Sequence, residues 1–129
     1  MAGTGIIVDT SILIEFLRAK DKPATVFWDL MGKHACCISS VTLFELAAGA
    51  RSEHHKADII KLKRWTEIIS FGQQCAGKAA ELYQLLKPKN ELPEFRDLFI
   101  AATALARNLP LATSNRKHFR NIPDLQLVQ

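Results

Sequence analysis

Asp9, Glu45 and Asp97 are the acids of this chain whose surroundings single them out for chemistry. Asp9 directly follows the apolar run Gly5-Ile6-Ile7-Val8. Glu45 is the one charge in residues 41–50, a stretch otherwise apolar or small all round, and Asp97 heads residues 98–106, which carry no charge. A helix apolar on every side is expected to be buried, and a buried carboxylate is costly unless it is neutralised, paired or bound to a metal. Three such groups gathered at one sheet edge would repel one another and resist ionisation unless a cation lay between them. Carboxylate oxygens, with water completing the shell, suit Mg²⁺ or Mn²⁺ rather than zinc. Such an ion can orient a phosphate, activate a bound water and stabilise a departing oxygen. Each acid also has a plainer reading. Asp9 suits a helix N-cap, Asp97 a cap or a partner of the helix dipole, and Glu45 an arginine pair or a reach to solvent.

The other polar groups sort in the same way. Arg116, Lys117, His118 and Arg120 form the sharpest basic cluster and could seat the phosphates of a nucleic acid, although a solvated turn explains them equally. Lys61, Lys63 and Arg64 read as one exposed helix face. His54 and His55 lack companions at zinc spacing and read as surface. Trp28 and Trp65 sit among apolar helical residues and read as core or interface anchors rather than base-stacking platforms. Cys36, Cys37 and Cys75 are odd in number and contain no C-x-x-C pair, so they read as core thiols.

The elements that must position these groups alternate. Residues 5–8 are a β-branched strand buried on both faces, and Asp9-Thr10-Ser11 supplies cap chemistry for a helix over 12–19. A second helix is expected over 23–32, a strand over 34–38, and helices over 41–50 and 54–65. A short strand over 67–71 and a helix over 74–86, stopped by Lys87-Pro88, come next. A helix over 93–107, a strand over 109–113 and an edge strand over 125–128 complete the chain. Short buried strands alternating with helices make an α/β domain with a mostly parallel sheet. In such sheets ligands bind beyond the carboxyl ends of the strands, where Asp9 and Asn115 emerge.

With 129 residues, 48% of them hydrophobic and 23% charged, the chain is expected to form one domain over 1–129 with a substantial core. No apolar run approaches the roughly 18 to 20 residues that cross a bilayer, and the start of the chain lacks the charged head and long apolar core of a signal peptide, so a cytoplasmic protein is expected. A net charge of +4 is compatible with a polyanionic partner.

Four segments carry a family resemblance: Ile7-Val8-Asp9-Thr10-Ser11; Ser40-Val41-Thr42-Leu43-Phe44-Glu45-Leu46-Ala47-Ala48-Gly49; Arg96-Asp97-Leu98-Phe99-Ile100-Ala101-Ala102-Thr103-Ala104; and Ala112-Thr113-Ser114-Asn115-Arg116-Lys117-His118-Phe119. In that order and spacing the chain resembles the PIN-domain ribonucleases, and more closely the VapC-like toxins of bacterial type II toxin–antitoxin pairs. The resemblance implies a three-layer α/β/α fold, with Asp9, Glu45 and Asp97 as metal-binding acids. It implies that Ser11 helps to place a ligand or water and that Thr113 and Asn115 complete the pocket. It also implies homodimerisation, an antitoxin whose tail occupies the groove, and arrest of translation by cutting tRNA, rRNA or mRNA. Many members have a further Asp near the last motif. Here Asn115 and His118 stand there, and Asn offers a neutral carbonyl oxygen in place of a charge.

Two other classes compete. A phosphoacceptor signalling domain has similar length, but residues 67–71 are followed by Gly72-Gln73 where an acceptor Asp would be wanted. A haloacid-dehalogenase-type phosphatase needs a second Asp two places after the first, and Ser11 occupies that place. The second class is a catalytically weak RNA- or protein-binding module with a PIN-like fold, which Asn115 keeps open.

Overall fold

The computed structural model describes residues 5–128, so the ends of the domain expected over 1–129 lie outside the described residues. Five strands, β1 (Gly5–Val8), β2 (Ala35–Ser39), β3 (Glu67–Ile69), β4 (Leu111–Ala112) and β5 (Leu127–Val128), form one sheet in the order β3-β2-β1-β4-β5. All four strand pairings are parallel. Six helices connect or flank them: α1 (Thr10–Arg18), α2 (Val26–Lys33), α3 (Ser40–Gly49), α4 (Glu53–Trp65), α5 (Gln73–Leu86) and α6 (Phe95–Ala106).

Alternation along β1 divides the core into the two sides of a three-layer α/β/α fold. Ile6 and Val8 face Phe16, Phe27, Leu30 and Leu62, on the side of α1, α2 and α4, while Ile7 faces Leu82, Leu98, Ile100 and Ala101, on the side of α5 and α6. Ile6, Ile7 and Val8 are fully buried, as expected for a parallel strand covered on both faces. Ala101, Ala102 and Ala104 are fully buried too, and such small side chains let a helix approach closely. The chain winds outward from β1 through β2 to β3, then returns to build β4 and β5 on the other side. The gap between β1 and β4 is therefore the topological switch point, where loops diverge and leave a crevice.

Three expectations need correction. Residues 23–32 are not one helix. A 3₁₀ turn over Lys22–Ala24 is followed by Thr25, whose hydroxyl donates to the Lys22 carbonyl at 2.7 Å and accepts from the Trp28 N–H at 3.4 Å, and α2 starts only there. The strand over 67–71 ends at Ile69, because the Phe71 N–H turns to the Ser40 hydroxyl, 3.0 Å away. The third correction bears on the site: α3 is not buried all round. Only Thr42 and Leu46 are buried on it, and Phe44 is 70% exposed. Its uniform apolar composition carries no information about which side faces the protein.

The cysteines are free and buried, and burial, followed by the neighbouring Cys37, pushes the Cys36 thiol up to about 11, which suits an inert core thiol. Lys61, Lys63 and Arg64 are exposed, as the amphipathic pattern requires. Trp65 lies edge-on to Phe16, their ring centres 6.2 Å apart, yet Trp28 and Trp65 both stay nearly half exposed. No described helix is long and apolar enough to cross a membrane.

Candidate active site at the switch point

Asp9 occupies the N-cap position of α1, but its side chain caps nothing. Its N–H donates to the Ala112 carbonyl at 2.8 Å, which sets it beside the end of β4. Its carboxylate then turns across the switch point, where Oδ2 accepts from the Thr113 hydroxyl at 2.7 Å and from the Ser11 hydroxyl at 3.0 Å. Thr113 is fully buried and also accepts from the Asn115 N–H at 2.9 Å, so one hydroxyl ties Asp9 to the loop after β4. The Ser114 hydroxyl donates to that of Ser11 at 2.9 Å and closes the same seam.

Asp97 enters from the third residue of α6, 8% exposed, and it does not cap that helix. Its Oδ2 lies 3.2 Å from His118 Nδ1. Burial pushes the Asp97 carboxyl above its ordinary range, and repulsion from Asp9 adds to the rise; His118 and Arg96 pull it down, and Glu94 raises it. The sign of the consequence is definite. A carboxyl whose folded value is raised stabilises the fold most below its unfolded value, and that contribution is lost as pH climbs through the folded one. In chelator, Asp97→Asn is therefore expected to raise the melting temperature at pH 7.5 more than at pH 4. Equal shifts at both pH values would contradict the electrostatic cause.

Glu45 projects from α3 with both oxygens engaged. Oε1 accepts from the Thr10 hydroxyl at 2.8 Å, with Thr42 Oγ1 3.0 Å from that same hydroxyl, and Oε2 pairs with an Arg96 guanidinium nitrogen at 3.2 Å. Asp9, Ser11, Glu45, Asp97, Asn115 and His118 thus line one cleft of about 130 Å³, together with Thr10 and Arg96. Within it the structure brings Asp9 and Asp97 into mutual repulsion and sets Glu45 aside in an arginine pair. Among the described residues, no three His, Cys, Asp or Glu side chains are close enough to hold one ion.

The basic cluster divides. His118 lines the cleft, whereas Lys117 lines an adjoining polar groove that shares Asp97 and His118 with it. Arg116 opens the 3₁₀ turn Arg116–His118, and Arg120 is exposed beyond it. Thr10 and Arg96 are cleft residues that the sequence does not single out. Thr10 lies between Asp9 and Ser11, and Arg96 is the one basic residue of α6; both positions are visible in the sequence, but their partners are not.

Residues 6–125 match the sequence profile of the PIN domain. The chain belongs to the PIN-domain family. It is 32% identical to Ribonuclease VapC1 of Methanocaldococcus jannaschii, over 95% of this chain and 84% of that protein, and so falls with the VapC members. Among solved structures, VapBC2 from Rickettsia felis bound to a DNA fragment from its promoter superposes with a TM-score of 0.82 at 27% identity, covering 96% of this chain and 97% of the other. A toxin–antitoxin complex from Klebsiella pneumoniae gives 0.75 at 27% identity, covering 96% of each chain. The α/β/α architecture of this PIN domain, with its central parallel sheet, is thus shared along nearly the whole chain.

Proposed function

We propose that this PIN domain, over residues 1–129, is an endoribonuclease that hydrolyses RNA phosphodiester bonds with a divalent cation held at Asp9 and Asp97. One observation carries the reading: two carboxylates, Asp9 and Asp97, line one small cleft at the sheet's switch point, where burial and then the charge of Asp9 both work against ionisation of Asp97. A divalent cation relieves that repulsion better than a proton does. The donor set also fits, because Mg²⁺ is commonly held by one or two carboxylates, keeping several waters and taking up substrate phosphate. The names of the relatives point to the same chemistry.

When bound, the ion, Mg²⁺ or Mn²⁺, supplies charge stabilisation at the phosphate and a water of lowered pKa. The chain's own residues prepare for it. Thr113 and Ser11 both donate to Oδ2 of Asp9, which fixes the carboxylate's orientation and leaves Oδ1 for a ligand. His118 lies against Asp97, its Nδ1 3.2 Å from Oδ2, and Asn115 adds a neutral donor or acceptor to the cleft lining. Glu45, paired with Arg96, would join as a third acid only on leaving that pair, and Lys117 with Arg116 would meet the phosphates of a longer strand. In the cell this activity makes the chain the toxin of a type II toxin–antitoxin pair, cutting tRNA, rRNA or mRNA in the cytoplasm to arrest translation, as a homodimer restrained by a cognate antitoxin.

The test is cleavage of single-stranded and structured RNA by the purified protein with Mg²⁺, with Mn²⁺ and in EDTA. Cleavage is expected with either ion and absent in EDTA, and its products carry no 2′,3′-cyclic phosphate, because water rather than the 2′-hydroxyl attacks. Cleavage persisting in EDTA would overturn the reading. RNA binding without ion-dependent cutting would favour a binding module, and a stable aspartyl-phosphate after treatment with a small phosphodonor would favour a signalling domain.

A further inference from the structure

We infer that Arg96 is a latch that competes with the divalent cation for Glu45 and is released by a phosphate of the incoming RNA strand. The inference rests on the proposed metal-dependent reading and assigns to one residue the order in which ion and substrate bind. Its starting point is that the cleft contains three acids yet offers no three-acid cluster among the described residues. The reason is visible at Glu45. Thr10 holds one of its oxygens at 2.8 Å and Arg96 the other at 3.2 Å, so the carboxylate is turned toward the guanidinium.

Arg96 is well placed to let go. It adjoins Asp97 at the start of α6, which keeps its guanidinium at the cleft, but its side chain is 57% exposed. Its other acidic neighbour, Glu94 at 3.5 Å, is 72% exposed, and ion pairs in that setting are weak. A guanidinium matches a phosphate bidentately, with two parallel N–H donors. Once a strand lies across the cleft, its phosphate can take Arg96 and leave Glu45 free to turn toward the ion. Thr10, itself beside Thr42, stays as the hinge contact that holds Glu45 near. Ion and RNA then favour each other's binding, since each removes a competitor of the other.

The test is Mn²⁺ binding to the full chain without RNA, by calorimetry, for wild type, Arg96→Met, Glu45→Gln and the double variant. Arg96→Gln serves as a second replacement with a polar side chain. Freeing Glu45 by either Arg96 substitution should tighten Mn²⁺ by about tenfold, in the range of coupling between contacting groups, and the gain should vanish in the Glu45→Gln background. If Arg96 acts only through its charge on the cleft, the gain is the same with and without the Glu45→Gln substitution, and the latch is overturned. An unchanged affinity overturns it too. A reciprocal measurement in EDTA completes the cycle: Glu45→Gln should tighten a short RNA only while Arg96 is present, and an equal gain in the Arg96→Met background would overturn release by phosphate. Should no protein in the set bind Mn²⁺, the metal-dependent nuclease reading falls as well, a result distinct from binding that Arg96 does not affect.

Discussion

Asp9→Asn is expected to lower the rate of RNA cleavage by about 10³-fold at saturating Mg²⁺, with the fold intact. An ion acting on a phosphoryl oxygen contributes several kcal/mol to the transition state, and roughly 1.4 kcal/mol corresponds to a tenfold change in rate. Removing the central carboxylate forfeits most of that contribution. The substitution is nearly isosteric, and its amide oxygen can still accept from Thr113 and Ser11, so the seam between β1 and β4 keeps its hydrogen bonds. Circular dichroism matching wild type and a melting temperature in chelator no lower than wild type, together with a lost cleavage rate, are the expected results. A variant that cuts RNA at the wild-type rate would remove Asp9 from the mechanism.

Phe119→Ala should have the largest effect on stability of any change near the cleft. Phe119 is 1% exposed and packs in the core on the side of α5 and α6, and truncating a buried Phe costs about 3–5 kcal/mol. Domains of this kind are held together by roughly 5–15 kcal/mol, so a large share would be lost. The effect reaches the site because Phe119 follows the turn Arg116–His118 directly, and its N–H donates to the Arg116 carbonyl at 3.1 Å. With the ring gone, the turn that carries His118 to Asp97 loses its anchor, and cleavage should fall even where the protein is still folded. Urea denaturation of Phe119→Ala beside Phe44→Ala makes the comparison. The α3 ring is 70% exposed, and its removal should change stability by no more than about 0.5 kcal/mol. Equal losses in the two variants would contradict the assigned packing.

Much of the architecture is legible in the sequence because its signals are local. The β-branched run before Asp9 and the serines ahead of α3 mark element starts within a few residues, and the structure has Ser39 accepting from the N–H of Val41. Asp9 and Asp97 stand out because each adjoins an uncharged apolar element, and both come to one cleft. Glu45 stands out on a different ground, burial of its helix on every side, and that ground fails, since α3 is fully buried only at Thr42 and Leu46. It reaches the cleft because Thr10 and Arg96 hold it there. Hydropathy reports how apolar a helix is, and says nothing of what covers each side.

What the amino-acid order determined by itself is the alternation of strands and helices, the parallel sense that such alternation enforces, and the placement of acids at element boundaries. Those properties follow from side-chain periodicity and backbone capping over a few neighbouring residues. Only the tertiary structure decided that β4 returns to lie beside β1, so that Thr113 meets Asp9 across 104 positions, and that Arg96 meets Glu45 across 51. Contacts of that span leave no mark in local sequence. They come from packing two faces of one sheet at once, a condition that the whole chain satisfies together.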